Sequence, residues 1–228
     1  MADDVVLIAG TKFFHETVNG AVSTWNRVPR MKQIGAIGEK SDPKDKTTLE
    51  DEIKKYGSGL RDAADKNLKL QYIPFQEEGD EFYDDYVLQQ AFITRARNEE
   101  EFNVRVDWPA GETNGFLLKT LGFEWDEGTQ EDYKMATISG KQNSRVVYSL
   151  LAPTGTLTVA VAGTTQLTPV TVPTGINTDL GTVYWSSSDV AIATVSASGL
   201  VTGAGAGTAN ITAEFRGVVS AVAAVVVS

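Results

Sequence analysis

Residue usage changes abruptly near Pro153, and the change indicates two domains. Residues 1–150 carry 27 of the 30 acidic and 19 of the 20 basic residues. Residues 151–228 contain three acids, one arginine and no lysine, and they are dense in Thr, Val, Ala and Gly. Such a shift at a turn-rich Ala-Pro-Thr-Gly segment is typical of a domain boundary. We place the boundary at residue 152, which gives domains over residues 1–152 and 153–228.

The second domain has the pattern of a small, all-β sandwich. Apolar residues alternate with small polar ones in about seven short runs, and turn residues separate the runs. The runs fall at residues 157–161, 167–172, 183–185, 192–195, 200–201, 209–215 and 218–227. We expect Trp185, Val195 and Ile211 to belong to the core, Gly199 to supply a turn with positive φ and Gly207 to allow close backbone approach.

Four segments make this prediction more specific. They are Trp185-Ser-Ser-Ser-Asp, Ile192-Ala-Thr-Val-Ser, Ser198-Gly-Leu-Val-Thr-Gly and Gly207-Thr-Ala-Asn-Ile-Thr-Ala. In this order they resemble the group 2 bacterial immunoglobulin-like repeat over most of residues 154–228. The glycine-rich run at 203–207 lacks the Lys-Ser/Thr pair and the following helix of a phosphate-binding loop, so it is interpreted as a β-turn.

The first domain is predicted to be α+β, with strands dominant, so the chain as a whole is mainly β. One helix is expected over Asp80–Arg97, with acids early and arginines late, as the helix dipole favours. Its buried stripe is predicted to comprise Phe82, Tyr86, Gln89, Gln90 and Ile93. Strands are expected at residues 5–8, 13–18, 70–75, 102–108, 115–125, 133–139 and 146–151, and the strand at 115–125 is expected to break at Gly122. A loop is expected at 34–46 and a hairpin at 139–145.

The order of motifs in this domain resembles a phage protein. The segments are Lys44-Asp-Lys-Thr-Thr-Leu-Glu-Asp, Tyr56-Gly-Ser-Gly-Leu-Arg-Asp, Phe102-Asn-Val-Arg-Val-Asp-Trp, the pairs Gly115-Phe and Gly122-Phe, and Ala136-Thr-Ile-Ser-Gly. Together they look like the major tail tube protein of long, non-contractile-tailed bacteriophages of the lambda-like branch. A C-terminal group 2 immunoglobulin-like domain is an arrangement seen in that family.

The resemblance implies a β-sandwich or barrel flanked by a helix, with copies forming hexameric rings that stack into a tube. Genomic DNA would pass through the tube without specific binding, and the immunoglobulin-like domain would project outside as a dispensable decoration. The implied partners are the chain itself, a tail-tip initiator, a tape-measure protein and a terminator protein. The implied location is the virion tail, assembled in the host cytoplasm.

The same resemblance implies that the loop between Gly38 and Tyr56 contacts the adjacent ring during stacking. The alternative interpretation is a mobile, solvated loop with no further role. The charged candidates for the stacking contact are Lys40, Asp42, Lys44, Asp45, Lys46, Glu50, Asp51, Lys54 and Lys55.

Charge and residue types exclude several functions. A net charge of −10 disfavours nucleic-acid reading, whereas a conduit tolerates acidic walls because they do not hold phosphates. With no cysteine and with His15 alone, thiol chemistry, Ser-His-Asp triads and His-rich metal sites are hard to build. The N-terminus lacks the pattern of a secretory signal, and no apolar stretch reaches membrane-spanning length.

Two carboxylate groupings remain as candidates for chemistry. The cluster Asp80, Glu81, Asp84 and Asp85 lacks the alternating loop of a calcium site, so a solvated helix start is the preferred interpretation. Glu124 and Asp126 lie two apart on a predicted strand, where acids commonly decorate a sheet face. We therefore expect no catalytic site and no bound metal or cofactor, and we do not expect the protein to be an enzyme. The competing class is a surface-exposed adhesin that binds carbohydrate or host, and weak binding of host-surface glycans by the immunoglobulin-like domain stays open.

Overall fold

The computed structural model describes residues 9–19, 22–37, 39–45, 56–63, 65–126, 134–174, 176, 178 and 182–228. The predicted strand at 5–8 lies outside these ranges. The chain divides into two compact units: Met1–Phe102 with Leu117–Val146, and Asn103–Phe116 with Val147–Ser228. The segment Asn103–Phe116 thus belongs to the C-terminal unit, which its composition does not indicate.

The first unit is built on strands of a seven-stranded sheet. The strands are β1 Lys12–Asn19, β2 Val22–Arg27, β3 Met31–Gln33, β6 Asp65–Gln71, β7 Glu101–Asp107, β8 Thr113–Trp125 and β9 Met135–Gln142. Their order across the sheet is β2-β1-β7-β8-β9-β6-β3. A separate two-stranded sheet pairs β4, Glu39–Asp45, with β5, Tyr56–Ala63, in antiparallel register.

Along strands of this sheet, every second side chain is buried. In β9, Ala136 and Ile138 are fully buried, and in β6 the same holds for Leu68 and Leu70. The β8–β9 pairing shifts its register between Thr120 and Gly122, which marks a β-bulge. The sequence predicts a break of the strand at this glycine.

The helix α1 spans Tyr83–Arg97, three residues shorter at its start than predicted. Asp80 lies in a turn before it, where its carboxylate accepts a hydrogen bond from the Glu77 backbone N–H at 2.8 Å. The predicted stripe is partly wrong. Phe82 precedes the helix and is 42% exposed, and the buried helix residues are Gln89, Phe92, Ile93 and Ala96.

Phe92 anchors the helix in the core of the first unit. Its ring meets the rings of Phe13 and Phe102 edge-on, with centroids 5.7 and 6.0 Å apart. Edge-to-face aromatic pairs of this kind add stabilisation beyond the area that they bury. The helix is therefore packed through an aromatic cluster that also involves β1 and β7.

Two further expectations in this unit are corrected. The predicted loop at 34–46 is a strand over Glu39–Asp45, because a register shift between Ser41 and Pro43 accommodates the proline that suggested a turn. The predicted hairpin at 139–145 does not form, since β9 runs on to Gln142 and the next strand pairs elsewhere.

The second unit contains short strands at the seven predicted runs, and further strands at Ser149–Thr154 and Thr164–Gln166 lie outside those runs. The strands are β10 Ser149–Thr154, β11 Thr158–Val159, β12 Thr164–Gln166, β13 Thr168–Val172, β14 Val183–Ser187, β15 Ala193–Val195, β16 Leu200–Gly203, β17 Gly207–Phe215, β18 Val218–Val219 and β19 Ala223–Val227. One sheet has the order β11-β19-β17-β14 with β18 beside β17, a second has the order β12-β16-β15, and β10 pairs with β13.

The core of this unit lies between inward-facing residues of the first two sheets. Ile211 and Val225 from one sheet and Val201 from the other are fully buried in a single cluster, and Trp185 and Val195 pack against it. Gly199 has φ +81°. The mainly β fold class is confirmed.

Within the described ranges, no helix combines the length and the apolar character needed to span a bilayer.

Candidate functional site

The seven-stranded sheet ends at two different strands, β2 and β3. The β1–β2 pairing runs without interruption from Phe14↔Arg27 to Asn19↔Val22. The Val28 N–H donates to the Phe13 carbonyl at 2.8 Å, which fixes the alternation of hydrogen-bonded pairs along β2. By that alternation the backbone N–H of Arg27 points away from β1, to the side on which no described strand pairs with β2.

The predicted stacking residues fall partly on the β4–β5 hairpin. Lys40, Asp42, Lys44 and Asp45 lie on β4. Lys46, Glu50, Asp51, Lys54 and Lys55 lie outside the described residues. A strand rather than a loop therefore holds the first four, and their role in stacking stays a prediction.

A buried polar cluster lies beneath α1, where His15 is 1% exposed. Arg95 Nη1 is 3.1 Å from His15 Nδ1, and Arg95 Nε is 2.8 Å from a Glu100 carboxylate oxygen. Because arginine can only donate, Nδ1 must accept, which places the proton of the neutral imidazole on Nε2. His15 also lies 5.5 Å from the ring of Phe92 and 5.9 Å from that of Phe102.

This setting lowers the pKa of His15 from 6.5 to about 4, chiefly by burial and further through the Arg95 charge, against a raising effect of Glu100. The hydrogen bond from Arg95 in turn lowers the pKa of Glu100. His15 is therefore neutral near pH 7 and packs in the core.

One surface feature of the first unit was not predicted. It comprises Tyr72, Phe123, Trp125, Arg97 and Lys134, and we call it the aromatic patch. The Trp125 ring meets those of Tyr72 and Phe123 edge-on, each at 4.8 Å, and Trp125 is 37% exposed. Lys134 Nζ lies 3.9 Å from the Trp125 centroid, and the Arg97 guanidinium lies 4.6 Å from that of Phe123. The Phe-Glu-Trp alternation in β8 signals two members, but the other three come from distant parts of the chain.

A second surface feature, the acidic helix end, surrounds the start of α1. It comprises Phe75, Glu77, Glu78, Asp80, Glu81, Phe82, Asp84 and Asp85. Phe75 is 70% exposed and Phe82 is 42% exposed, and the Arg30 guanidinium lies 4.8 Å from the Phe82 centroid. The described residues hold no group of three or more His, Cys, Asp or Glu side chains that could bind a metal.

The candidate pair Glu124 and Asp126 does not form a paired-carboxylate site. Asp126 accepts a hydrogen bond from the Thr137 hydroxyl at 2.6 Å, and its other oxygen lies 3.5 Å from Lys69 Nζ. Its charge is thereby compensated by neighbouring side chains, while Glu124 is exposed. The arrangement fits acidic decoration of a sheet face.

Two clefts open on the second unit. One, of about 380 Å³, is lined by the edge of Trp185 with Gln166, Leu167, Thr168, Pro169 and Ser198, among others. The other, of about 510 Å³, includes Arg105, Asp107, Glu112 and Tyr148. In the second cleft Arg105 Nε lies 3.1 Å from Asp107, so these two charges largely compensate each other.

Similarity to known proteins is found with one family and with solved structures. Residues 150–226 match the family described as bacterial Ig-like domain (group 2). No curated protein matches the chain. Three solved structures are each similar to 60% of this chain. The tail of an empty GTA particle, refined with C6 symmetry, has a TM-score of 0.42 and 11% sequence identity, and 95% of that chain is covered. The SPP1 tail tube has a TM-score of 0.39, 13% identity and 75% coverage, and the six-fold symmetrised baseplate of the anti-feeding prophage has a TM-score of 0.38, 9% identity and 90% coverage.

Proposed function

We propose that this chain is a structural subunit of a phage tail tube and not an enzyme. Copies would close side by side into hexameric rings, and the rings would stack into the conduit for genome delivery. The virion tail is then its location, after assembly in the host cytoplasm. The proposal joins the motif order of the first 150 residues to the open sheet of the first unit.

The observation that carries the proposal is that the sheet ends at β2 on one side and at β3 on the other. Protected sheet edges usually carry lysine, proline or a bulge, whereas β2 has the sequence Val-Ser-Thr-Trp-Asn-Arg and pairs with β1 without a bulge. Because its two ends are different strands, joining β2 of one copy to β3 of the next is a heterologous contact. Such a contact closes into a ring or continues as a filament.

Charge is compatible with the conduit. The chain has a net charge of −10, so its surface as a whole repels DNA phosphates and allows passage without specific binding. A repeating subunit cannot count its own copies, so a tape-measure protein would set the tail length. A tail-tip initiator and a terminator protein would begin and end the tube.

The experiment is assembly of the purified full-length chain, viewed by negative-stain electron microscopy, with and without a substitution on β2. Arg27→Pro removes the backbone donor that points away from β1, and Arg27→Ala keeps it. We expect rings or tubes from the wild type and from Arg27→Ala, and monomers from Arg27→Pro. Persistent monomers of the wild type at high concentration would refute the proposal.

A second candidate function is a surface-exposed module that binds carbohydrate or host, and the Trp185 cleft favours it. Trp185, Thr168 and Ser198 all line this cleft. An aromatic ring can pack on a sugar ring, and serine and threonine hydroxyls can hydrogen-bond the sugar hydroxyls. A glycan array without hits at high protein concentration would remove this candidate. Tube formation by the same preparation would favour the first function.

A further inference from the structure

Two cations on the aromatic patch are held without a carboxylate partner. Arg97 lies over Phe123, and Lys134 lies over Trp125 and, at 5.6 Å, over Tyr72. Among the described residues, no carboxylate lies within 4 Å of either cation. Trp, Tyr and Arg are the residue types that dominate protein–protein hot spots. The patch thus combines an apolar anchor with positive charge that no carboxylate of the described residues neutralises.

The acidic helix end has the complementary chemistry. Six of its eight residues are acids, and its two phenylalanines are exposed. Exposed aromatic side chains rimmed by charge mark an interaction surface rather than ordinary solvated structure. Arg30 covers part of Phe82 but leaves Phe75, the most exposed aromatic ring of the described residues, uncovered by a cation.

Within one copy, no ion pair among the described residues joins the cations of the aromatic patch to the acids of the helix end. Arg97 is the last residue of α1, and Phe82 is the residue before its first. A helix of 15 residues is about 22 Å long, and it keeps its two ends apart. Phe75 lies only three residues after Tyr72, so the two surfaces adjoin along the chain, but Arg97 and the acids of the first helical turn lie at opposite ends of α1. An ion pair between these charges therefore joins two copies, in the heterologous manner that generates rings or filaments.

We propose that the acidic helix end of one copy docks on the aromatic patch of the next copy. This inference rests on the proposed function, because it names the side-chain surfaces through which ring-forming copies recognise each other. Charge complementarity selects this occupant. In a chain of net charge −10 most surfaces repel one another, and the patch is where an acidic, aromatic segment gains ion pairs and buries apolar area.

The test is a charge swap in the full-length chain. Lys134→Glu places a carboxylate on the patch, and Asp84→Lys places a cation on the helix end; both side chains are exposed. We expect each variant to raise the protein concentration needed for assembly at least tenfold, measured by light scattering and negative-stain microscopy. The double variant Lys134→Glu with Asp84→Lys restores an attractive pair and should assemble near the wild-type concentration.

Two controls separate docking from other effects. Lys12→Glu reverses an exposed lysine elsewhere in the first unit and should assemble like the wild type. Circular dichroism should show that every variant is folded. Single variants that assemble like the wild type, or a folded double variant without rescue, would overturn the docking inference while the tail-tube proposal stands. A wild type that never assembles would instead remove the proposed function and this inference with it.

Discussion

His15 illustrates how much the environment of one residue decides. Residue type alone leaves open whether a lone histidine binds a ligand or packs in a core. Here two phenylalanine rings, the Arg95 guanidinium and almost complete burial surround the imidazole. Protonation would place a second positive charge against Arg95 in a site with little water, so the folded protein favours neutral His15.

The pH dependence of folding tests this arrangement. The folded pKa of His15, about 4, lies below its ordinary value of 6.5, so the unfolded chain binds more protons between these pH values. The free energy of unfolding should therefore fall as pH drops from 6.5 to 4, by up to about 3 kcal/mol from this residue. Denaturant titrations at several pH values measure it.

The matched control for His15 is His15→Gln, which keeps a polar side chain but cannot titrate. The difference in unfolding free energy between wild type and variant cancels the carboxylates common to both. That difference should change with pH between 6.5 and 4 and be level above pH 7. An equal pH dependence in the two proteins would contradict the assignment.

Other single residues were predictable because their reason is local. A turn between two strand patterns at Ser-Gly-Leu requires positive φ, and Gly199 has φ +81°. An added Cβ there would lie 2.6 Å from the Trp185 ring, so the glycine also makes room for the core tryptophan. The aromatic patch was not predictable, since Tyr72, Arg97 and Lys134 approach Trp125 only through the fold.

At the scale of elements, the buried side-chain amide of Gln89 attaches α1 to the chain at the end of β6. Gln89 is fully buried; its Oε1 accepts from the Ile73 N–H at 2.7 Å, and its Nε2 donates to the Gln71 carbonyl at 2.9 Å. These two bonds satisfy the backbone acceptor of the last residue of β6 and the backbone donor two residues further on. The helix is thus joined to the sheet by specific hydrogen bonds as well as by Phe92.

Gln89→Leu should destabilise the first unit by about 2–4 kcal/mol, because a backbone donor and acceptor lose their buried partner. Gln90→Leu is the control, since the Gln90 Nε2 atom is buried without a hydrogen-bond partner in the described structure. Its loss should be neutral or slightly stabilising. Urea unfolding of the two variants checks the contrast, and equal destabilisation of both would contradict it.

Elements were predictable where one period dominated the sequence. Strict alternation gave β7 nearly correct bounds, and the early acids and late arginines placed α1 to within three residues. Where a local signal opposed the tertiary structure, the prediction was wrong: Asp42-Pro43 favours a turn, yet β4 passes through it with a register shift. The predicted buried stripe wrongly included Phe82, because the sequence does not show that Asp80 lies in a turn and that the helix begins only at Tyr83.

At the scale of the whole molecule, the sheet ends, the aromatic patch and the acidic helix end all belong to the first unit. The division of the chain is nevertheless not a single cut. Asn103–Phe116 belongs to the second unit, where a Cβ added to Gly115 would lie 2.3 Å from the Arg216 carbonyl oxygen. Composition could not reveal that Asn103–Phe116 belongs to the second unit, because its place depends on backbone packing between segments about 100 residues apart.

Removal of the C-terminal sandwich is therefore expected to affect stability and assembly differently. A chain ending at Leu151 keeps every proposed assembly surface, so it should form rings or tubes under the conditions that suit the full-length protein. Its thermal midpoint should fall, because Val147 and Leu150 lose their packing against Phe215 and Val218. Full-length Leu150→Ala, which loses part of that packing but keeps the sandwich, separates the two effects. A truncated chain that is folded by circular dichroism yet stays monomeric, beside an assembling Leu150→Ala variant, would show that the sandwich itself takes part in assembly.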